Sequence, residues 1–208
     1  AKTAIVVGDG VSYEFAQDII EKVSKEYTLS KEHQYIFAGL PSETEHNMSQ
    51  LYIDSGTVVK DKQDREAYLL KQNKDKLIGF IDLEKVNETS DKEHYLICSY
   101  KDPDKLGETY QHKALKYFDL VAGIFATKIE QLFKNGYQNV YLVTDHGFVL
   151  TGILDNSDKI EVDFKGNVKI SERFIRSENK QKIDTNLLIE KEVVYNNFNY
   201  SYFAKRLG

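Results

Sequence analysis

The sequence predicts an α/β fold: a mainly parallel sheet covered by helices on both faces in three layers, with a small C-terminal β-hairpin appended. Three observations carry that prediction. Short apolar runs alternate with segments of helical periodicity from residue 4 to Gly147. Two runs end abruptly in polar groups, Ile5-Val-Val-Gly-Asp9 and Tyr141-Leu-Val-Thr-Asp145-His146-Gly147. Buried parallel strands deliver ligands to their carboxyl ends in this way. Beyond Thr151 the pattern changes to period two, the signature of antiparallel strands.

Taken in order, Ala4 to Val7 is an apolar strand closed by Gly8-Asp9-Gly10. Val11 to Tyr27 then spaces Phe15, Ile19, Ile20 and Val23 as a helix does. His33 to Ala38 reads as a second strand, stopped by Gly39-Leu-Pro-Ser42, and Glu43 to Ser55 as a helix. A charged helix follows from Asp61 to Asp75, then a strand from Leu77 to Leu83 with Asp82 near its end. Asn87 to Glu93 is a polar turn, Tyr95 to Tyr100 a strand and Asp102-Pro-Asp-Lys-Leu-Gly107 a loop. The longest helix spans His112 to Lys134, where Phe118, Val121, Ala122, Phe125, Ile129 and Leu132 keep one apolar face. Asn135-Gly136 stops it. The hairpin is expected from Lys159 to Phe164 and Asn167 to Ile170 around Lys165-Gly166. Ser171 to Lys191 gives no firm assignment, and Val193-Val-Tyr195 reads as a last strand.

At 208 residues the chain is long enough for one domain with a substantial core, and residues 1–208 are read as a single domain. Its opening directly on a strand and its close at Ala204-Lys-Arg-Leu-Gly208 fit a piece excised from something longer. A formal net charge of −5 gives no overall positive field for gathering nucleic acid, so any such binding must be local. No apolar run reaches bilayer length and no signal-peptide cleavage pattern opens the chain. The expectation is a soluble, cytoplasmic protein without membrane contact. Cys98, the one cysteine, excludes an internal disulfide and reads as a small buried residue.

Asp145 and His146 suit zinc or a similar divalent ion, and Gly147 removes a side chain that would crowd the turn presenting them. Asp9 ends the first strand in the same manner. Each position also has an ordinary use: Asp9 or Thr44 can cap a helix, and His46, His112, His33 and His94 suit packed or surface roles.

In order and context these residues resemble the alkaline phosphatase superfamily, specifically its PglZ domain branch, known from BREX-type bacterial phage-defence systems. Ile5-Val-Val-Gly-Asp-Gly-Val-Ser-Tyr13 looks like the branch's first motif. Gly39-Leu-Pro-Ser-Glu-Thr-Glu45 looks like its nucleophile motif, and Val143-Thr-Asp-His-Gly-Phe148 like its terminal Asp-His-Gly motif. The resemblance implies an alkaline-phosphatase-like fold and a metal-dependent phosphoesterase, acting on phosphodiesters of nucleic acid or nucleotides. It implies Thr44 as a metal-touching nucleophile and Asp9, Asp119, Asp145 and His146 as ligands of one or two ions, zinc or alternatively manganese. Asn47, one turn beyond Thr44, would donate to a phosphoryl oxygen.

The sequence departs from the family at the second ion. Many members carry histidine four residues after the aspartate in the position of Asp119, where this chain has Gly123, and no histidine follows His146. Within the branch a His-Gly-Gly stretch is expected beyond a segment like Tyr202-Phe-Ala-Lys-Arg206, and the chain stops before it. Two alternatives therefore stay open. One is a catalytically weak or inactive scaffold binding partner defence proteins. The other, a response-regulator-like or nucleotide-binding module, would use Asp9 but leave the other motifs unused.

Overall fold

A computed structural model of the chain describes residues 1–30, 35–54, 56–88, 93–101, 103–105, 115–148, 162–171, 174–183, 188–196 and 198–205. They fall into two compact units, one of residues 1–37 and 66–148, the other of residues 38–65 and 149–208.

The first unit is built on a four-stranded, all-parallel sheet in the order β2-β3-β1-β4, with β1 Thr3–Gly8, β2 Ile78–Asp82, β3 Tyr95–Tyr100 and β4 Asn139–Thr144. β1 is interior and its register is even on both sides: Gly8 pairs with Tyr100 of β3 and with Thr144 of β4. These three strands therefore finish side by side, so residues just past them share one edge of the sheet.

Helices α1 (Tyr13–Lys22) and α4 (Leu115–Lys134) pack together through Phe15, whose ring lies 5.2 Å from Phe118 and 6.2 Å from Phe125. Phe125 also meets Tyr100 edge-on at 5.0 Å, which joins α4 to the sheet. Ser12 caps α1 by accepting from the Phe15 N–H at 3.2 Å. Its helix ends at Lys22 rather than reaching Tyr27, because Val23 turns extended while its N–H still bonds the Ile19 and Ile20 carbonyls. At the far end of α4 the Gly136 N–H bonds Phe133 and the Tyr137 N–H bonds Leu132, the Schellman pair that Asn135-Gly136 announces.

Helix α3 (Lys62–Gln72) carries the chain between the two units, and a 3-10 turn, Leu83–Lys85, follows β2. The strand expected over His33 to Ala38 does not form: residues 35–38 have no regular structure, and 33 and 34 lie outside the described residues. Ile36 and Phe37 are 81% and 93% exposed, so a β-branched and an aromatic residue suited to a strand found no sheet neighbour.

The second unit is a four-stranded antiparallel sheet, order β5-β6-β8-β7, of β5 Val168–Ile170, β6 Phe174–Ser177, β7 Leu188–Tyr195 and β8 Phe198–Lys205. The expected hairpin takes a different partner. β5 pairs with β6, Ile170 opposite Ile175, while residues 162–164 form no strand and 159–161 lie outside the described residues. Phe164 instead packs on the sheet, 5.6 Å from Phe203. The strand expected over Val193–Tyr195 is part of the longer β7 and is not the last, since it joins β8 across a tight turn in which Asn196 takes a φ of +50°, a conformation Asn tolerates. Alternation splits the sheet's apolar residues between its faces, with Phe174, Val193 and Tyr202 on one and Ile175, Leu188 and Phe203 on the other. Helix α2 (Thr44–Tyr52) belongs to this unit and meets the first of these faces, where Tyr195 and Arg176 also point. It stops before Ser55 because Ile53 turns extended.

Candidate metal centre

The three adjoining strand ends of the first unit carry the site. Asp9 follows β1, Asp145 and His146 follow β4, and Asp104 lies four residues past β3. One ligand atom each from Asp9, Asp104 and His146 lies within 4.8 Å of the other two. The His146 Nε2 is 3.7 Å from Asp9 Oδ1, 4.0 Å from Asp104 Oδ1 and 3.3 Å from Asp145 Oδ2. Asp9, Asp145 and His146 are all buried, at 8%, 5% and 3% exposure.

Backbone contacts set this geometry. The Asp9 N–H continues the β1–β3 ladder to the Tyr100 carbonyl, and the Asp9 carbonyl accepts from the Asp104 N–H at 3.1 Å, which brings the Asp104 segment over the end of β1. Gly10, at φ +72°, lets it come that close, since a Cβ there would stand 2.9 Å from the Asp104 Cβ. Gly147 serves the expected purpose from the other side: a Cβ on it would lie 3.0 Å from the Ser12 Cα.

Asp145 is oriented by its own turn. Its Oδ1 accepts N–H bonds from Gly10 at 3.2 Å and His146 at 2.9 Å. Its Oδ2 is buried with no hydrogen bond, as is Oδ1 of Asp9. The His146 Nδ1 lies 3.1 Å from the Gly147 carbonyl, a contact that is a bond only with the proton on Nδ1. That tautomer directs the Nε2 lone pair at the carboxylates, where a cation or proton must intervene.

The electrostatics agree with that need. Burial first, then the charges of Asp145 and Asp104, push the Asp9 carboxyl up to about 7 against the pull of His146 and Lys101. Burial likewise raises Asp145 to about 6, held back by the N–H groups of Gly10 and His146. Buried carboxylates sharing one space bind a proton firmly when no metal neutralises them. Two orphaned oxygens, a third carboxylate and an imidazole nitrogen fit a divalent cation.

The structure thus brings Asp9, Asp145 and His146 together and adds Asp104, which the motif reading passed over. Its signal is weaker, because Asp104 lies four residues past its strand whereas Asp9 and Asp145 follow theirs directly. Asp119 is not gathered: it stands on α4 with its side chain 84% exposed, 2.6 Å from the Lys22 ammonium. Helical phase turns it to solvent while Phe118, Val121 and Ala122 take the buried face. Gly123 is therefore not a vacant histidine position of this cluster. Asp82 likewise pairs with Lys85 at 2.8 Å on the outer strand. Cys98 is fully buried, and burial pushes its thiol up to about 12, which fits a packing residue and no nucleophile.

Thr44 and Asn47 belong to the second unit. Thr44 is the first residue of α2, after Glu43, whose side chain makes no cap bond but pairs with Arg176 at 3.1 Å and Lys169 at 2.9 Å. Arg176 in turn lies 3.8 Å over the Tyr195 ring. The Asn47 amide donates to the Gly39 carbonyl at 3.2 Å and is 3% exposed, so one N–H already fastens the loop before α2. His46 is buried, bonded to Gln50 at 2.9 Å, and held below the usual histidine value by burial first. His94 packs on Tyr95, while His33 and His112 lie outside the described residues.

No family model matches the chain, and no curated protein matches it. None of the described helices is long and apolar enough to cross a membrane.

Proposed function

We propose that this chain is a divalent-metal phosphoesterase domain of the PglZ type, with the alkaline-phosphatase-like three-layer arrangement that resemblance implies. Its substrates are phosphodiesters of nucleic acid or nucleotides, in a cytoplasmic phage-defence setting with other defence proteins as partners. The observation that carries the reading is the meeting of Asp9, Asp104 and His146, with Asp145 beside them, at the carboxyl ends of adjacent parallel strands. A bound divalent ion, zinc or manganese, would neutralise phosphoryl oxygens and lower the pKa of a coordinated alcohol.

Thr44 is the nucleophile in this reading. Its Oγ forms a bond to phosphorus as the bond to the leaving oxygen breaks, the hydroxyl proton ending on the leaving alcohol, giving a phosphothreonine that still carries the remaining ester and that water then hydrolyses. The test is cleavage of bis-p-nitrophenyl phosphate with zinc or manganese. Activity in the unmodified protein, lost in both Thr44→Ala and His146→Ala, supports the assignment. Unchanged turnover in Thr44→Ala removes Thr44 from it.

A second reading is a scaffold that keeps the fold and binds partner defence proteins with little or no catalysis. The net charge of −5 favours it, as does a single candidate metal cluster among the described residues. Metal binding without turnover by the unmodified protein selects this reading.

A further inference from the structure

We propose that Thr144, at the end of β4, is the positioning residue of the centre. The inference rests on the metal-binding reading of Asp9, Asp104 and His146. The β1–β4 ladder ends at the pair Gly8 and Thr144. The ladder pairing of β1 with β4 does not continue past that pair, although the turns that follow both strands carry candidate ligands.

The Thr144 hydroxyl supplies that link. Its Oγ1 accepts from the N–H of Val11, in the turn after β1, at 3.0 Å. It donates its one proton to the His146 carbonyl, at 2.7 Å, in the turn after β4. The Asp145 Oδ1, at 3.5 Å, is the more distant acceptor. Val11 is 2% exposed, so its N–H has no solvent to turn to if the hydroxyl goes.

The consequence is geometric. The same two turns are tied a second time by the Gly10 N–H bond to Asp145 Oδ1. Two crossed bonds between turns fix both the spacing and the rotation of one against the other, where a single bond would leave a pivot. Holding the His146 carbonyl back also sets the direction of the backbone that carries the imidazole. Bonds of this kind around a metal centre change affinity by about 10- to 100-fold when removed.

The experiment compares Thr144→Val, which keeps the branched shape without the hydroxyl, and Thr144→Ser, which keeps the hydroxyl without the methyl. Thr144→Ala is a second hydroxyl-free variant should valine prevent folding. Amide exchange of Val11 in metal-free protein reads the link itself. Protection is expected in the unmodified protein and Thr144→Ser, and loss in Thr144→Val; unchanged protection in valine overturns the link. Manganese or zinc titration by calorimetry reads positioning, with affinity at least about tenfold weaker in Thr144→Val and close to unmodified in Thr144→Ser. Equal affinity in all variants, or serine failing as badly as valine, overturns the proposal. If the unmodified protein takes up neither manganese nor zinc, the metal reading fails and the positioning role with it, whatever the exchange data show about the link.

Discussion

The imidazole Nε2 of His146 stands 3.7 Å from Oδ1 of Asp9, two residues 137 positions apart in the chain. Parallel pairing of β1 with β4 closes that separation, since Gly8 and Thr144 end their strands in register. Whatever binds there binds to strand ends held by the core of the sheet, which is the rigid support a metal centre requires.

Asp104 is expected to act as a ligand. Asp104→Asn keeps the size and the backbone bond to Asp9 but removes the charge, and metal affinity measured by calorimetry should fall by about tenfold or more. An unchanged affinity would leave Asp104 as a bystander. The control is Asp119→Asn, which touches an exposed ion pair worth about 0–1 kcal/mol and should change neither affinity nor stability measurably.

Much of the first unit was legible because each signal was local. β3 occupies Tyr95–Tyr100 as the apolar run indicates, and α4 stops where Asn135-Gly136 provides the cap. The pairing of Asp9 with Asp145 and His146 followed from strand-end chemistry alone. Asp104 did not stand out because Asp102-Pro-Asp104 reads as an ordinary turn, and the exposed position of Asp119, apart from the Asp9 cluster, was not legible because a sequence motif does not report helical phase. In the second unit the hairpin was assigned to Lys165-Gly166, yet the longest pairing turns at Asn196, whose Asn-Asn dipeptide is a weaker signal than Asn-Gly. Tyr35 to Phe37 resembles a strand by residue type, but a strand also needs a neighbour, and sequence alone does not supply that information.

The raised carboxyl groups fix a pH dependence for the metal-free protein. Asp9 and Asp145 hold protons up to about 7 and about 6 in the folded state, against about 3.9 when unfolded. The folded state therefore binds more protons in that window, so these groups favour folding at low pH and the gain is lost progressively as pH rises from about 4 through about 7. Thermal melts without metal should show the midpoint falling across that range, and Asp9→Asn should flatten the fall. Metal affinity should run the opposite way, rising with pH as the ligands lose their protons. A metal-free midpoint that instead rises through this window would contradict the burial of these carboxylates.

Gly123 lies within α4, and a Cβ built on it meets no atom within 4 Å. Gly123→Ala should therefore stabilise the protein by about 0.5–1 kcal/mol through helix propensity, with metal affinity unchanged. Chemical denaturation gives the first quantity and calorimetry the second. A loss of stability would mean that something packs against this position.

The most direct test of the account is anomalous scattering from crystals grown with manganese or zinc. The account predicts one strong peak between Asp9, Asp104 and His146, about 2.0–2.2 Å from an oxygen or nitrogen of each. No peak there at saturating metal, or a peak bound to other residues while these three keep their present spacing, would contradict it.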